Sequence, residues 1–317
     1  VAEAVRVYKV NVERKTGRNV KKLILNHIGC FVLGFLFSLA GINKELSPFG
    51  VAFTASVSKS FTLTAALGAV CGSFVLMDSV TALRYMSSIL SLCVIMSALK
   101  PFKQLRDNIY TPVVATFICL LVTGLAVVFS KGVTAVSILL CFAEACVGAF
   151  SALSFAKSRS VISLKGGISM LTSKEATAVV ISITLLLLSL SPFNVMGIYP
   201  VHIVAQLLVL ICAFYGREAG GAIVGICSGI TMSIGTGSFF LLAFYSSGGL
   251  LAGAFSVLGR IGSFFAFVVS GVAVTAICYS QVNIPATVVE FVVSGILFII
   301  LSYKFNSRLE AVFVPSV

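Results

Sequence analysis

Residues Asn43–Phe53 read NKELSPFGVAF and separate two apolar runs. Their charges and their proline interrupt sequence that would otherwise be continuous apolar chain. The fold turns on whether this stretch joins soluble elements or breaks a membrane bundle. Composition decides between the two. Of all residues 59% are apolar, 10% are charged, the mean hydropathy is +1.12, and apolar runs recur from Leu23 to Tyr303. A soluble core cannot hide that much apolar surface, so the chain is expected to be a polytopic membrane protein. The runs ISITLLLLSL (181–190) and VAQLLVLICAF (204–214) are apolar on every face. A transmembrane barrel would alternate polar and apolar residues with period two, so the expected class is an all-α bundle.

Twelve apolar segments are predicted, at 23–41, 48–58, 61–77, 83–99, 111–130, 133–156, 175–190, 200–215, 219–234, 239–258, 262–280 and 285–303. They divide the chain into a basic arm (1–22), a membrane domain (23–303) and the start of a cytoplasmic linker (304–317). The first segment follows a basic arm and lacks a cleavage site, so it is read as a span and not as a secretory signal. The nine cysteines lie in or beside apolar runs without a CxxC pair, which suits packing residues better than disulfides or zinc.

The formal net charge of +12 could suggest nucleic acid, but the charges are arranged by side. With the N-terminal arm in the cytoplasm, alternate connections place every Lys and Arg except Lys44, Arg84 and Lys131 on the cytoplasmic side. That asymmetry follows the positive-inside rule and predicts two cytoplasmic termini, with anionic lipid headgroups as counter-charge and no nucleic-acid partner. Tyr110, Tyr199, Tyr215, Tyr279 and Tyr303 fall near segment ends, where an amphipathic ring suits the interface.

The opening stretch then becomes a helix break. Ser47 is expected to cap, and Pro48 to occupy, the first turn of a helix too short to span alone. Paired with the next short segment across Lys59, that helix could form a re-entrant hairpin, which would reduce twelve spans to about ten. LSPFN at 190–194, around Pro192, echoes LSPFG at 46–50 and raises the possibility of two internal halves. Nearly half of the 27 glycines fall between Gly216 and Gly262. Gly221, Gly225 and Gly229 make a ridge at fourfold spacing, Gly249 and Gly253 a second, and Gly68 and Gly72 a third. Each is expected to let another helix approach closely, within the bundle or between copies.

The combination of LSPFGVAF, GREAGGAIVGICSGI and FYSSGGLLAGAFSVLGRIGSFFAF, followed by a last span and a short segment with Pro315, resembles the N-terminal membrane domain of the stage II sporulation protein E family of endospore-forming Firmicutes. The resemblance covers nearly the whole chain from Leu23. It implies about ten passes with cytoplasmic termini, a role in septal localisation, and self-association. In that family the membrane region leads to a cytoplasmic part that oligomerises and contacts the division protein FtsZ. A manganese-dependent serine/threonine phosphatase domain follows. It dephosphorylates an anti-anti-sigma factor and so activates the forespore sigma factor.

No catalytic, cofactor or metal residue is expected in this chain itself. A two-metal site needs several carboxylates, and the aspartates are Asp78 and Asp107 alone. The chain begins without methionine and ends shortly after the last segment, so it is expected to be a fragment lacking its effector.

A competing expectation is an ion-coupled secondary transporter. Glu144 and Glu290 lie inside apolar runs, where an unpaired carboxylate costs about 2.5 kcal/mol or more. His202 and Gln206, one helical turn apart, could share a polar face with either. Lys59 and Glu218 complete the candidates for intramembrane polar contacts.

Overall fold

The computed structural model describes residues 23–41, 46–58, 60–99, 101–102, 108–165, 173–194, 197–278, 283–304 and 306. The architecture is all-α: α1 (Leu23–Leu39), α2 (Phe49–Ser56), α3 (Thr62–Leu76), α4 (Ser79–Ala98), α5 (Thr111–Lys131), α6 (Ala135–Lys165), α7 (Ser173–Leu188), α8 (Pro200–Thr236), α9 (Phe240–Ala254), α10 (Gly259–Ile277) and α11 (Ile284–Lys304). A 3₁₀ turn, Phe255–Leu258, links α9 to α10. Each of the twelve predicted segments has a helical counterpart, because α8 contains two of them. Among the described residues, six stretches are long and apolar enough to cross a membrane: Ser79–Ala98, Thr111–Ser130, Ala135–Val161, Pro200–Thr236, Phe240–Ile277 and Ile284–Lys304.

Two of those stretches fold back on themselves. A straight helix of 37 residues would be about 55 Å long. Instead Arg217 adopts φ 53° and ψ −149°, and the chain reverses there. A Cβ on Gly220 would lie 2.5 Å from the Cys212 carbonyl oxygen, a proximity that only a reversed chain permits. The left-handed backbone costs a non-glycine residue about 1–3 kcal/mol, so the surrounding packing must hold it. The second reversal lies at Gly259 (φ 83°), where Ser263 Oγ on α10 donates to the Ala252 carbonyl on α9. Residues 200–216, 218–236, α9 and α10 thus form successive antiparallel rods.

The glycine ridges sit inside this packing. A Cβ on Gly221 would come within 2.1 Å of the Gly249 oxygen, and one on Gly225 within 2.4 Å of the Tyr245 oxygen. Gly253 packs in the same way on Arg217, and Gly229 on Leu242. Gly68 and Gly72 of α3 meet the carbonyls of Phe31 and Phe35 on α1. All three ridges are therefore filled by neighbouring backbone and offer no free surface for a second copy.

The α1–α3 pairing also settles what the sequence break accomplishes. Phe31 lies opposite Gly68 and Phe35 opposite Gly72, so α1 and α3 run parallel. The chain must return to its starting end between them, and α2 is the helix that lies there. At eight residues it is about 12 Å long against a hydrocarbon thickness of about 30 Å. Every residue of α2 except Phe53 is buried. Phe49 and Ala52 join Phe37, Ala152, Phe155 and Leu188 in one cluster, while Val51 and Ala55 join the cluster around Tyr85, Ile89 and Leu120. A third cluster fills the C-terminal half around Val209, Tyr245 and Phe267.

Three local expectations need correction. The N-cap of α2 is Pro48, without a side-chain cap bond, because Ser47 turns its hydroxyl to the carbonyls of Ser38 and Ala40 (2.8 and 3.0 Å) at the end of α1. The two LSPF copies differ: the first opens α2, whereas the second follows the end of α7 and forms turns through Pro192. The long interior connection is shorter than expected, because α6 continues through Lys157 and Arg159 to Lys165. Lys59, Lys44 and Tyr279 lie outside the described residues.

Gly221→Ala is expected to lower the unfolding free energy in detergent by about 1–3 kcal/mol, because the new methyl meets rigid backbone. Gly29→Ala, which would meet nothing within 4 Å, should be neutral or stabilising. Equal effects of the two substitutions on the unfolding midpoint would rule out the close α8–α9 contact.

Candidate functional site

Two buried polar networks organise the molecule. In the first, Glu144 on α6 is 4% exposed. Both Arg84 Nη2 and the Tyr85 hydroxyl, from adjacent positions on α4, donate to its Oε1. Tyr85 in turn accepts a 2.7 Å bond from the backbone N–H of Ser47. A continuous line of bonds therefore runs from the carboxylate inside α6 to the break before α2, and through the Ser47 hydroxyl to the end of α1. The other end of α2 is tied as well. Arg159 Nη1 donates to the Ser56 carbonyl (2.6 Å), and Ser56 Oγ donates to the Ala152 carbonyl (2.9 Å). A cation at that end complements the negative pole of the helix.

Arg84 was missed as Glu144's partner. The charge rule treats it as one of three exceptions, at the start of a span on the non-cytoplasmic side. The helix in fact begins at Ser79, where Asp78 caps it by accepting from Thr81 N (3.3 Å), so Arg84 lies in the second turn with its side chain 12% exposed. The readable signal was that N-cap. Moving the helix start to Asp78 places Arg84 and Tyr85 inside the bundle. A paired, buried arginine is no topology charge, and one exception to the asymmetry disappears.

The second network lies in the C-terminal half and brings together three of the predicted residues. Glu290 on α11 accepts the Tyr199 backbone N–H at Oε1 (3.1 Å), and its Oε2 lies 3.2 Å from His202 Nδ1 on α8. One turn along, Ser294 Oγ donates to Gln206 Oε1 (2.8 Å), and the Tyr245 hydroxyl donates to the His202 carbonyl (3.4 Å). Tyr199, His202, Gln206, Tyr245 and Glu290 line a cavity of about 330 Å³ at the end of the bundle where α8, α9 and α11 begin. A neighbouring cavity of about 460 Å³ is lined by Leu39, Met77, Leu188 and Pro192, and shares Asn194, Tyr199 and Thr236 with the first.

At the opposite end of this half, the Arg260 guanidinium stacks 4.2 Å over the Tyr303 ring and bonds Asn306 Oδ1 (2.7 Å), which also accepts from the Tyr215 hydroxyl. Arg217, at the α8 reversal, packs against Gly253 near this end. Glu218 is exposed at the same reversal, with its Cα packed beside Gly253. Among the described residues, no three of His, Cys, Asp and Glu gather as a metal site.

Glu144 and Glu290 thus belong to separate networks with no residue in common. The class defined by these features is a polytopic helical membrane domain, with a short buried helix clamped at both ends and a small polar cavity at one end of the bundle. Residues 3–310 match the family described as SpoIIE, N-terminal domain, and the chain belongs to that family. No match is found among curated proteins or among solved structures.

Arg84→Met should destabilise the domain by about 3–5 kcal/mol, because it strands a buried carboxylate. Arg84→Met combined with Glu144→Leu should recover most of that loss. Additive single and double variants in a chemical unfolding cycle would show that the two side chains are not coupled.

Proposed function

We propose that this domain anchors a sporulation-specific serine/threonine phosphatase in the membrane, directs it to the asymmetric septum and supports its self-association. The observation that carries this reading is the family match across residues 3–310. By the same resemblance, the phosphatase is a cytoplasmic, manganese-dependent domain attached beyond α11. Its partners are FtsZ and the phosphorylated anti-anti-sigma factor, and its activity releases the forespore sigma factor. The membrane region supplies position and assembly, with its polar networks serving architecture.

Two cytoplasmic termini fit this role, since they leave an attached domain free to meet soluble partners. The gathering of Arg217, Arg260 and the end of α11 at one pole supports that sidedness. Self-association would use lipid-facing helix surfaces, because the glycine ridges are occupied within the chain. Ion-coupled transport through Glu144 and Glu290 has weaker support. Each carboxylate has its own partner set, with Arg84 and Tyr85 on one and His202 and Tyr199 on the other.

The test is a fluorescent fusion to residues 1–317 in sporulating cells of an endospore-forming host. Enrichment at the asymmetric septum is the expected result, whereas uniform labelling of the envelope would remove the localising role. The septal signal is read with a reporter that fluoresces on either side of the membrane, and a second C-terminal fusion, to a reporter that folds only in the cytoplasm, reads the sidedness of the terminus. A dark reporter beside a septal signal would overturn the topology alone.

A further inference from the structure

The cavity around His202 and Glu290 is not needed for anchoring, and its chemistry specifies an occupant. We propose that it is a binding site for a small, net-neutral solute rich in hydroxyl or amide carbonyl groups, entering from the end of the bundle where α8, α9 and α11 begin. This does not rest on the phosphatase reading. The cavity's volume of about 330 Å³ lies within the range of small-molecule sites.

Net neutrality follows from the ionisable lining. His202 and Glu290 are in contact, one base against one acid, so each already has a partner within the site and neither is left to answer a ligand's charge. They are the ionisable side chains of acid or base type among the cavity's lining residues, the tyrosines apart. A charged ligand would therefore leave an uncompensated charge in a site walled by apolar helices, which is strongly disfavoured.

The hydrogen-bonding ledger gives the ligand's character. Asn194 and Asn283 each use Oδ1 on a backbone N–H, from Gly197 (2.8 Å) and Ala286 (3.5 Å) respectively. What each amide retains is its NH₂ donor. His202 Nε2 is buried without a partner, although its ring lines the cavity. Gln206 Oε1 is committed to Ser294, and Thr236 Oγ1 both donates to the Met232 carbonyl and accepts from Ser238 N. The two asparagine NH₂ groups are unspent donors, which call for oxygen acceptors on the ligand, and His202 Nε2 can pair with a ligand hydroxyl in either tautomer. Phe240 and Phe244 add flat apolar surface. Donors beside aromatic faces suit a compact polyol or acetamido sugar better than an ion or a hydrocarbon.

The probes are glucose and N-acetylglucosamine, which present hydroxyls and, in the second, an amide carbonyl without charge. Sodium acetate is the charged control. Thermal unfolding of the chain in lipid nanodiscs reads the result. At about three times Kd, a neutral probe is expected to raise the midpoint by about 2 °C, and acetate should not. Asn283→Asp keeps the helix-capping acceptor, and so the fold, while replacing the donor by an anion. Because Asn283 is exposed at the cavity mouth, that anion keeps its water, so the variant should leave the unliganded midpoint near the parent's and abolish the shift. Failure of both sugars, an equal or larger shift with acetate, or a shift retained in Asn283→Asp would each overturn the proposal.

Discussion

Backbone that leaves the helix at membrane depth must find its hydrogen bonds within the protein, because lipid supplies none. The break before α2 meets this demand through one line of contacts. Glu144 holds the Tyr85 hydroxyl, Tyr85 holds the Ser47 N–H, and the Ser47 hydroxyl satisfies the last carbonyls of α1. Arg84 supplies the positive charge that lets Glu144 remain in the interior. Four helices are thereby positioned relative to one another. The short helix can turn the chain around, and α1 and α3 can lie parallel with carbonyls against glycines.

The C-terminal half solves its packing problem differently. Its reversals are tight, at Arg217, Gly237 and Gly259, and its helices approach until glycine faces backbone. In a bilayer, hydrophobic burial drives helix association weakly, so close van der Waals contact carries more of the load. The polar groups of this half are then free to gather at one end, where they line a cavity instead of clamping a break. The shared cluster of Phe37, Phe49, Phe155 and Leu188 joins the two halves.

Much of this was legible in the residues. Apolar runs located each helix to within a few positions except at the C-terminal end of α6, and glycine spacing marked the contact ridges, although it could not say which helix would fill them. The polar contacts were half legible. His202, Gln206 and Glu290 were singled out because charge and amide groups are rare in such runs, and they do meet. Glu144 was singled out for the same reason, but its partner was hidden by a helix start placed too late. Asp78 carried that information in a single capping side chain, a weaker signal than a missing apolar residue. Arg159 was hidden because a helix running past the apolar segment into charged sequence has no hydropathy signature. The left-handed turn at Arg217 had a glycine beside it on the chain, but the strained residue itself is one that sequence patterns would not choose.

The clamp on α2 also imposes an order on biosynthesis. Ser56 is held by Arg159, 103 positions later in the chain, and Tyr85 by Glu144, 59 positions later. At about 5–20 residues per second, the ribosome needs roughly 5–20 s to supply the second half of that clamp after the first has emerged. Throughout that interval the chain lacks Glu144 to hold Tyr85, and Arg159 and Ala152 to hold Ser56. The nascent chain must therefore keep α2 near water, or shielded by the insertion machinery, until α6 arrives and draws it in.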